Sequence, residues 1–220
     1  MYLLLLFLGP TIMIFCGLQL FSSVPITFLL FYSWLLLVPF LDLHFLQGKL
    51  WRDTLSYVGL VLHRKNLIVG SMSGALFLLV IFWTGSLFHP FLFQQDDFTQ
   101  LLERWHFSGN QAVWLIGILM FINPLLEELY WRGFMHQKLA ESRRPATVIL
   151  LTAFFYSLYH LLSVIPLFAW PYHVLMVFPV FFAGIVWGYL RHRYRTIFGS
   201  MISHILADVG IMMVYLFFLV

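Results

Sequence analysis

The sequence predicts an all-α polytopic membrane protein of about seven transmembrane helices (six to eight), with one further amphipathic helix on the bilayer surface. Composition is the first reason. Of 220 residues, 62% are hydrophobic and 10% charged, with a mean hydropathy of +0.92, whereas soluble domains carry roughly 45–50% apolar and about 25% charged residues. The second is segmentation. Apolar stretches bounded by charge and turn residues fall at roughly 2–21, 24–46, 67–90, 111–135, 146–165, 171–190 and 197–219, each near the ~20 residues that cross a ~30 Å hydrocarbon core. The third is charge. Lys49, Arg52, Arg64 and Lys65 follow the second stretch, Lys138, Arg143 and Arg144 the fourth, and Arg191, Arg193 and Arg195 the sixth. These are ten of the twelve basic residues, all on one side of a seven-span chain. The positive-inside rule then puts the N-terminus in the cytoplasm and the C-terminus outside, in what we read as a bacterial inner membrane.

Taken in order, the first stretch starts at Tyr2 without a basic segment or a small-residue cleavage site, so it reads as a span and not as a signal peptide. Between the second and third spans, Gln47–Asn66 mixes Leu, Trp, Tyr and Val with four basic residues, the pattern of a helix lying in the interface. Gly70-x-x-x-Gly74 in the third span and Gly184-x-x-x-Gly188 in the sixth each put two glycines on one helix face, which suits close helix packing. Gln94–Asn110, with Asp96, Asp97, Glu103 and Arg104, reads as the one sizeable polar loop. Residues 1–220 form a single membrane domain on this reading. The formal charge of +3 reflects loop charges that set orientation, and no basic stripe points to nucleic acid. Cys16 is the only cysteine, which excludes a disulfide framework and a cysteine metal site.

Ionisable groups at mid-bilayer are costly and mark function. The fourth span holds Glu127, Glu128 and Arg132, the fifth His160, the seventh His204 and Asp208. At about 1.5 Å per residue, His204 lies roughly 12 Å in from the basic side, the two glutamates roughly 15–18 Å, and His160 roughly 20 Å. Three helices thus bring them into one slab. Glu128 and Arg132 are i,i+4, a neutralising pair, as are His204 and Asp208 on their helix. Glu127 sits about 100° round from Glu128 and is free for another task. Pro124 removes a backbone hydrogen bond just upstream and predicts a kink. Asp42 and His44, near the end of the second span, read as interfacial, as do His63, His89, His106, His136, His173 and His192.

Glu127-Glu128-x-x-x-Arg132, an aromatic-x-x-x-His ending at His160, and His204-x-x-x-Asp208 resemble the three ordered motifs of the CAAX-protease and bacteriocin-processing family of membrane proteins. The resemblance covers about half the chain, and the motif-bearing core about residues 110–215. It implies an intramembrane endopeptidase of the glutamic type. Glu127 would activate water as general base and His160 would help hold that water. His204 and Asp208 would face the scissile carbonyl as oxyanion-side donors, and Glu128 and Arg132 would orient the helix. The substrate would be a peptide or a membrane-anchored protein, with membrane lipid as the other partner. Two positions depart from the family pattern. Tyr156 stands where Phe is usual, adding a hydroxyl that needs a partner. Asp208 stands where many members have Asn, and an aspartate donates to an oxyanion only when protonated.

Three rival readings remain open at this point. Zinc on Glu127, His160 and His204 would leave an open coordination position, although no His-Glu-x-x-His helix is present, and a metal-free site with no cofactor is favoured. A proton-coupled transporter could use the same midplane groups, but the two halves show no repeat. A non-catalytic scaffold or immunity protein would share the fold and have no use for the glutamate.

Overall fold

The computed structural model describes residues 1–93, 95–107, 109–168 and 170–219, with side chains described throughout these except at 95–99, 110 and 111. Among the described residues every regular element is helical. Seven helices are long and apolar enough to cross a membrane, and the protein is an integral, multi-pass membrane protein. We label the helices α1 Tyr2–Leu20, α2 Val24–Leu46, α4 Arg64–Leu92, α6 Ala112–Ala140, α7 Pro145–Val164, α8 Tyr172–Tyr194 and α9 Phe198–Phe218. Two shorter helices lie between them, α3 Trp51–Val58 and α5 Gln95–Arg104. The seven spans fall where the apolar stretches predicted them.

Two connections differ from expectation. The surface helix is shorter than 47–66, because Gly59 adopts a left-handed φ of 81° and ends it. Its amphipathic face docks through Thr54 and Val58, while Trp51, Arg52 and Leu55 stay exposed. The stretch expected as a polar loop holds α5 and folds back on the bundle. Leu101, Trp105 and Phe107 are buried, and the Trp105 carbonyl accepts the Val24 amide at 2.9 Å. The apolar spacing of these three residues supplies a face that the acidic run obscures. Gln94 and the side chains of Asp96 and Asp97 lie outside the described residues.

Helix pairing follows the small residues. α4 runs along α9, where a side chain at Gly70 would meet the backbone of Gly199 and one at Gly74 would meet Ser203 and Leu206. α7 runs along α8, with Gly184 against Ala153 and Gly188 against Ile149. In lipid no hydrophobic force separates helix from solvent, so close backbone approach and hydrogen bonds hold such pairs. One bond that helps do so crosses from Asn66 to the Thr196 carbonyl at 3.3 Å. α6 sits between α2 and α9.

Asp42, expected near the interface, is buried within the protein. It is 1% exposed and collects Lys138 at 3.0 Å, the Tyr2 hydroxyl and Gln47, tying α1, α2 and α6 together. These three side chains satisfy a carboxylate that would otherwise be too costly to bury. His136 is also buried, one helical turn inside the end of α6.

Candidate active site

The site begins with a change of pitch in α6. Ile118–Ile122 and Leu129–Met135 are π-helical, flanking an α-helical turn at Asn123–Glu128. Pro124 has no amide to donate, and the wider turn before it absorbs the defect: the Asn123 amide reaches back five residues to the Ile118 carbonyl. The expected kink is therefore a π-turn. The second π-turn closes with the His136 amide on the Trp131 carbonyl. Between the two, Glu127 and Glu128 are held facing the bundle interior, 2% and 0% exposed.

Glu128 makes two charged contacts. Arg132 Nη1 lies 3.0 Å from its Oε1, and His204 Nδ1 lies 3.2 Å from the same oxygen. The Arg132 guanidinium also donates to the Gly184 carbonyl at 3.2 Å and stacks 4.4 Å over the Tyr156 ring. Gly184 serves two purposes, then, since a side chain there would crowd both Ala153 and Arg132. The Trp187 indole stacks on the His204 ring at 4.1 Å, and Trp187 Nε1 donates to Ser203 at 3.0 Å. With a carboxylate on one edge and an indole on one face, the imidazole has a single orientation. A carboxylate only accepts, so His204 carries a proton on Nδ1 and presents the Nε2 edge to the cavity.

Three groups converge on that Nε2. The Glu127 carboxylate is 3.6 Å away, Asp208 3.8 Å and the Tyr156 hydroxyl 3.2 Å. Asp208 is the most open of them, 16% exposed. Asn123 brings its amide to both Glu127 and Asp208, and Tyr159 lies beside Glu127. Neither Glu127 Oε2 nor the Tyr159 hydroxyl completes a hydrogen bond to another protein atom. His160 stands one step aside. Its Nδ1 bonds the Tyr156 carbonyl at 2.9 Å, and its ring packs between Tyr156 at 4.6 Å and Tyr159 at 4.5 Å.

The sequence-predicted residues thus separate into two groups. Glu127, Glu128, Arg132, His204 and Asp208 form one contiguous cluster, while His160 reaches it through Tyr156 and Tyr159. Among the described residues, no three His, Cys, Asp or Glu side chains are grouped closely enough to hold a metal ion. Sequence reasoning missed Asn123, Tyr159 and Trp187. Asn123 was findable, because it is four residues before Glu127 and shares its helix face. Trp187 carried no signal: it comes from α8, a span without an ionisable residue at that depth.

Residues 109–210 match a family model described as type II CAAX prenyl endopeptidase, Rce1-like. No curated protein and no solved structure matches the chain. The matched segment takes in Glu127, Glu128, Arg132, Tyr156, His160, His204 and Asp208, and in it the chain is similar to the Rce1-like family of type II CAAX prenyl endopeptidases.

Proposed function

We propose that the protein is an intramembrane endopeptidase that hydrolyses a peptide bond of a membrane-anchored protein or peptide, using water activated by Glu127. The observation that carries this reading is the convergence of Glu127, Asp208 and Tyr156 on one fixed nitrogen of His204, buried between α6, α7 and α9. Water bound at the Glu127 carboxylate loses a proton to it as its oxygen attacks the scissile carbonyl. Charge then develops on the carbonyl oxygen at the Nε2 side of His204. The Tyr156 hydroxyl donates there, with Asp208 when it is protonated, on an edge that His204 fixes through its Nδ1 bond to Glu128. Donors fixed in advance are worth most in a site that excludes bulk water. The C–N bond breaks as Glu127 returns the proton to the leaving amine. His160 contributes from behind Tyr159, positioning the water side of the site. Glu128 and Arg132 hold His204 and the helix.

Metal-free chemistry belongs to this proposal. Its support is the donor geometry: His204 Nδ1 is committed to Glu128, and His160 is turned into the Tyr156–Tyr159 pair. We also infer a bacterial inner-membrane location with a cytoplasmic N-terminus, from the basic loops.

The test is Glu127→Gln, which keeps size and removes the proton acceptor. Comparing membrane proteomes of cells carrying the parent or the variant should show intact precursors accumulating in the variant at equal protein abundance. Loss of a general base typically costs ~10²–10⁴-fold in rate. Identical proteomes at equal abundance would favour the scaffold reading and end this one.

A further inference from the structure

A second polar cluster begins at His136, eight residues or about two helical turns beyond Glu128, where α6 and α8 end. A cleft of about 170 Å³ opens there, lined by His136, Gln137, Arg143, Arg191, His192 and Arg195 together with small apolar residues, and no carboxylate lines it. Its innermost members are not ordinary loop charges. Arg191 is 2% exposed, and its hydrogen bonds all go to neutral oxygens: the carbonyls of Arg132, Arg195 and Tyr57, and the Gln137 side chain. His136 is 3% exposed, and its Nδ1 has no hydrogen-bond partner. The His136 and His192 rings lie 6.3 Å apart. Asp53 on α3 lines the adjoining cleft beside Arg191 and Arg195, and Glu141 accepts from the Tyr57 hydroxyl at 3.0 Å.

Orientation alone does not ask for this. Arg52, Arg64 and Lys65, in the first basic loop, satisfy the positive-inside rule while exposed to water. The neutral oxygens around Arg191 return part of its desolvation cost, but no carboxylate lines the cleft and His136 Nδ1 stays unpartnered, so the rest is not returned within it. An oxyanion would return it. Guanidinium groups recognise phosphate by paired N–H donors, and basic pockets between transmembrane helices at the interface are suited to phosphorylated headgroups. We propose that this cleft is a phosphate-binding site at the membrane–water boundary, formed by Arg143, Arg191, Arg195, His136 and His192. The inference stands apart from the peptidase reading.

The test uses the full-length protein purified in detergent, with thermal stability as the readout. Phosphatidylglycerol, phosphatidylcholine and inorganic phosphate are titrated separately. Arg143→Gln/Arg195→Gln, both exposed positions, removes two charges of the cleft, while Arg52→Gln/Arg64→Gln removes two charges elsewhere on the same side. Saturable stabilisation by phosphatidylglycerol but not phosphatidylcholine, weakened at least ~10-fold in the cleft variant and kept in the control, supports a headgroup site; two lost phosphate contacts justify that magnitude. The same pattern with inorganic phosphate alone supports the site and assigns a soluble source. No stabilisation of the parent by either, or equal loss in the control variant, overturns the proposal.

Discussion

Tyr156 brings a hydroxyl to the same imidazole nitrogen that Asp208 approaches, at 3.2 Å and 3.8 Å. These are the two positions at which the chain departs from the family pattern, and the structure brings them to one atom. The exchange is chemically balanced. Replacing Asn by Asp at 208 trades a permanent N–H donor for a conditional one, and replacing Phe by Tyr at 156 adds an O–H donor beside it. We therefore expect the pair to be coupled. Tyr156→Phe alone should lower kcat by about 10²-fold, the usual cost of removing one oxyanion-side donor. Asp208→Asn should stay active, and in that background the Tyr156→Phe loss should shrink to a few-fold. A double-mutant cycle on kcat measures this directly; strictly additive effects would mean the hydroxyl only packs. At this scale the ionisable residues and their order were legible in the sequence, since intramembrane charges are conspicuous. It could not give their couplings, because Trp187 and Gly184 act on His204 and Arg132 from another helix.

Among the elements, the spans were legible because lipid imposes one rule on every segment, length with apolarity. The shorter pieces were not. α5 is hidden by its acidic run, and α3 is cut short by one residue conformation at Gly59. Within α6 the proline announced a defect without saying which, and a π-turn was the solution. Pairing of α4 with α9 was legible in part. Gly70 and Gly74 marked a face of α4, but not the partner, and the partner supplies its own glycine at 199. This contact positions His204, since α9 carries it. Gly70→Leu should consequently push α9 away by its backbone, not by a movable side chain. Overpacking a tight contact costs typically ~1–3 kcal/mol, so membrane abundance and thermal stability should both fall. Met72→Leu, on the exposed face of the same helix, should leave both unchanged. Equal behaviour of the two variants would show that the α4–α9 approach is not a determinant of the fold.

For the whole molecule, span number, charge and site depth have to agree on one arrangement in the bilayer. Seven spans put the two termini on opposite sides. Ten of the twelve basic residues lie between the last turn of an even-numbered span and the first turn of the next, so a single orientation satisfies three loops at once. On the orientation we infer from those loops, Asp42 and Lys138, the proposed phosphate cleft and the amphipathic α3 would lie on the cytoplasmic boundary. Glu127 is then thirteen residues from the cytoplasmic end of α6 at Ala140 and fifteen from the other end at Ala112, or roughly 20 Å from each at 1.5 Å per residue. A peptidase site at that depth serves substrates already held in the membrane. On the proposed reading such a site would be reached through the lipid or along the bundle. Reporter fusions after residues 65, 143 and 193 should all read as cytoplasmic, and a fusion after residue 100 as external. The fusion at 100 carries the most information, because α5 lies there with few basic residues to orient it, and its burial against Val24 ties it to the start of α2. A cytoplasmic signal at 100 would require α4 to turn back without crossing, would put α6 in the opposite sense, and would remove the common depth of Glu127 and His204 relative to the basic face.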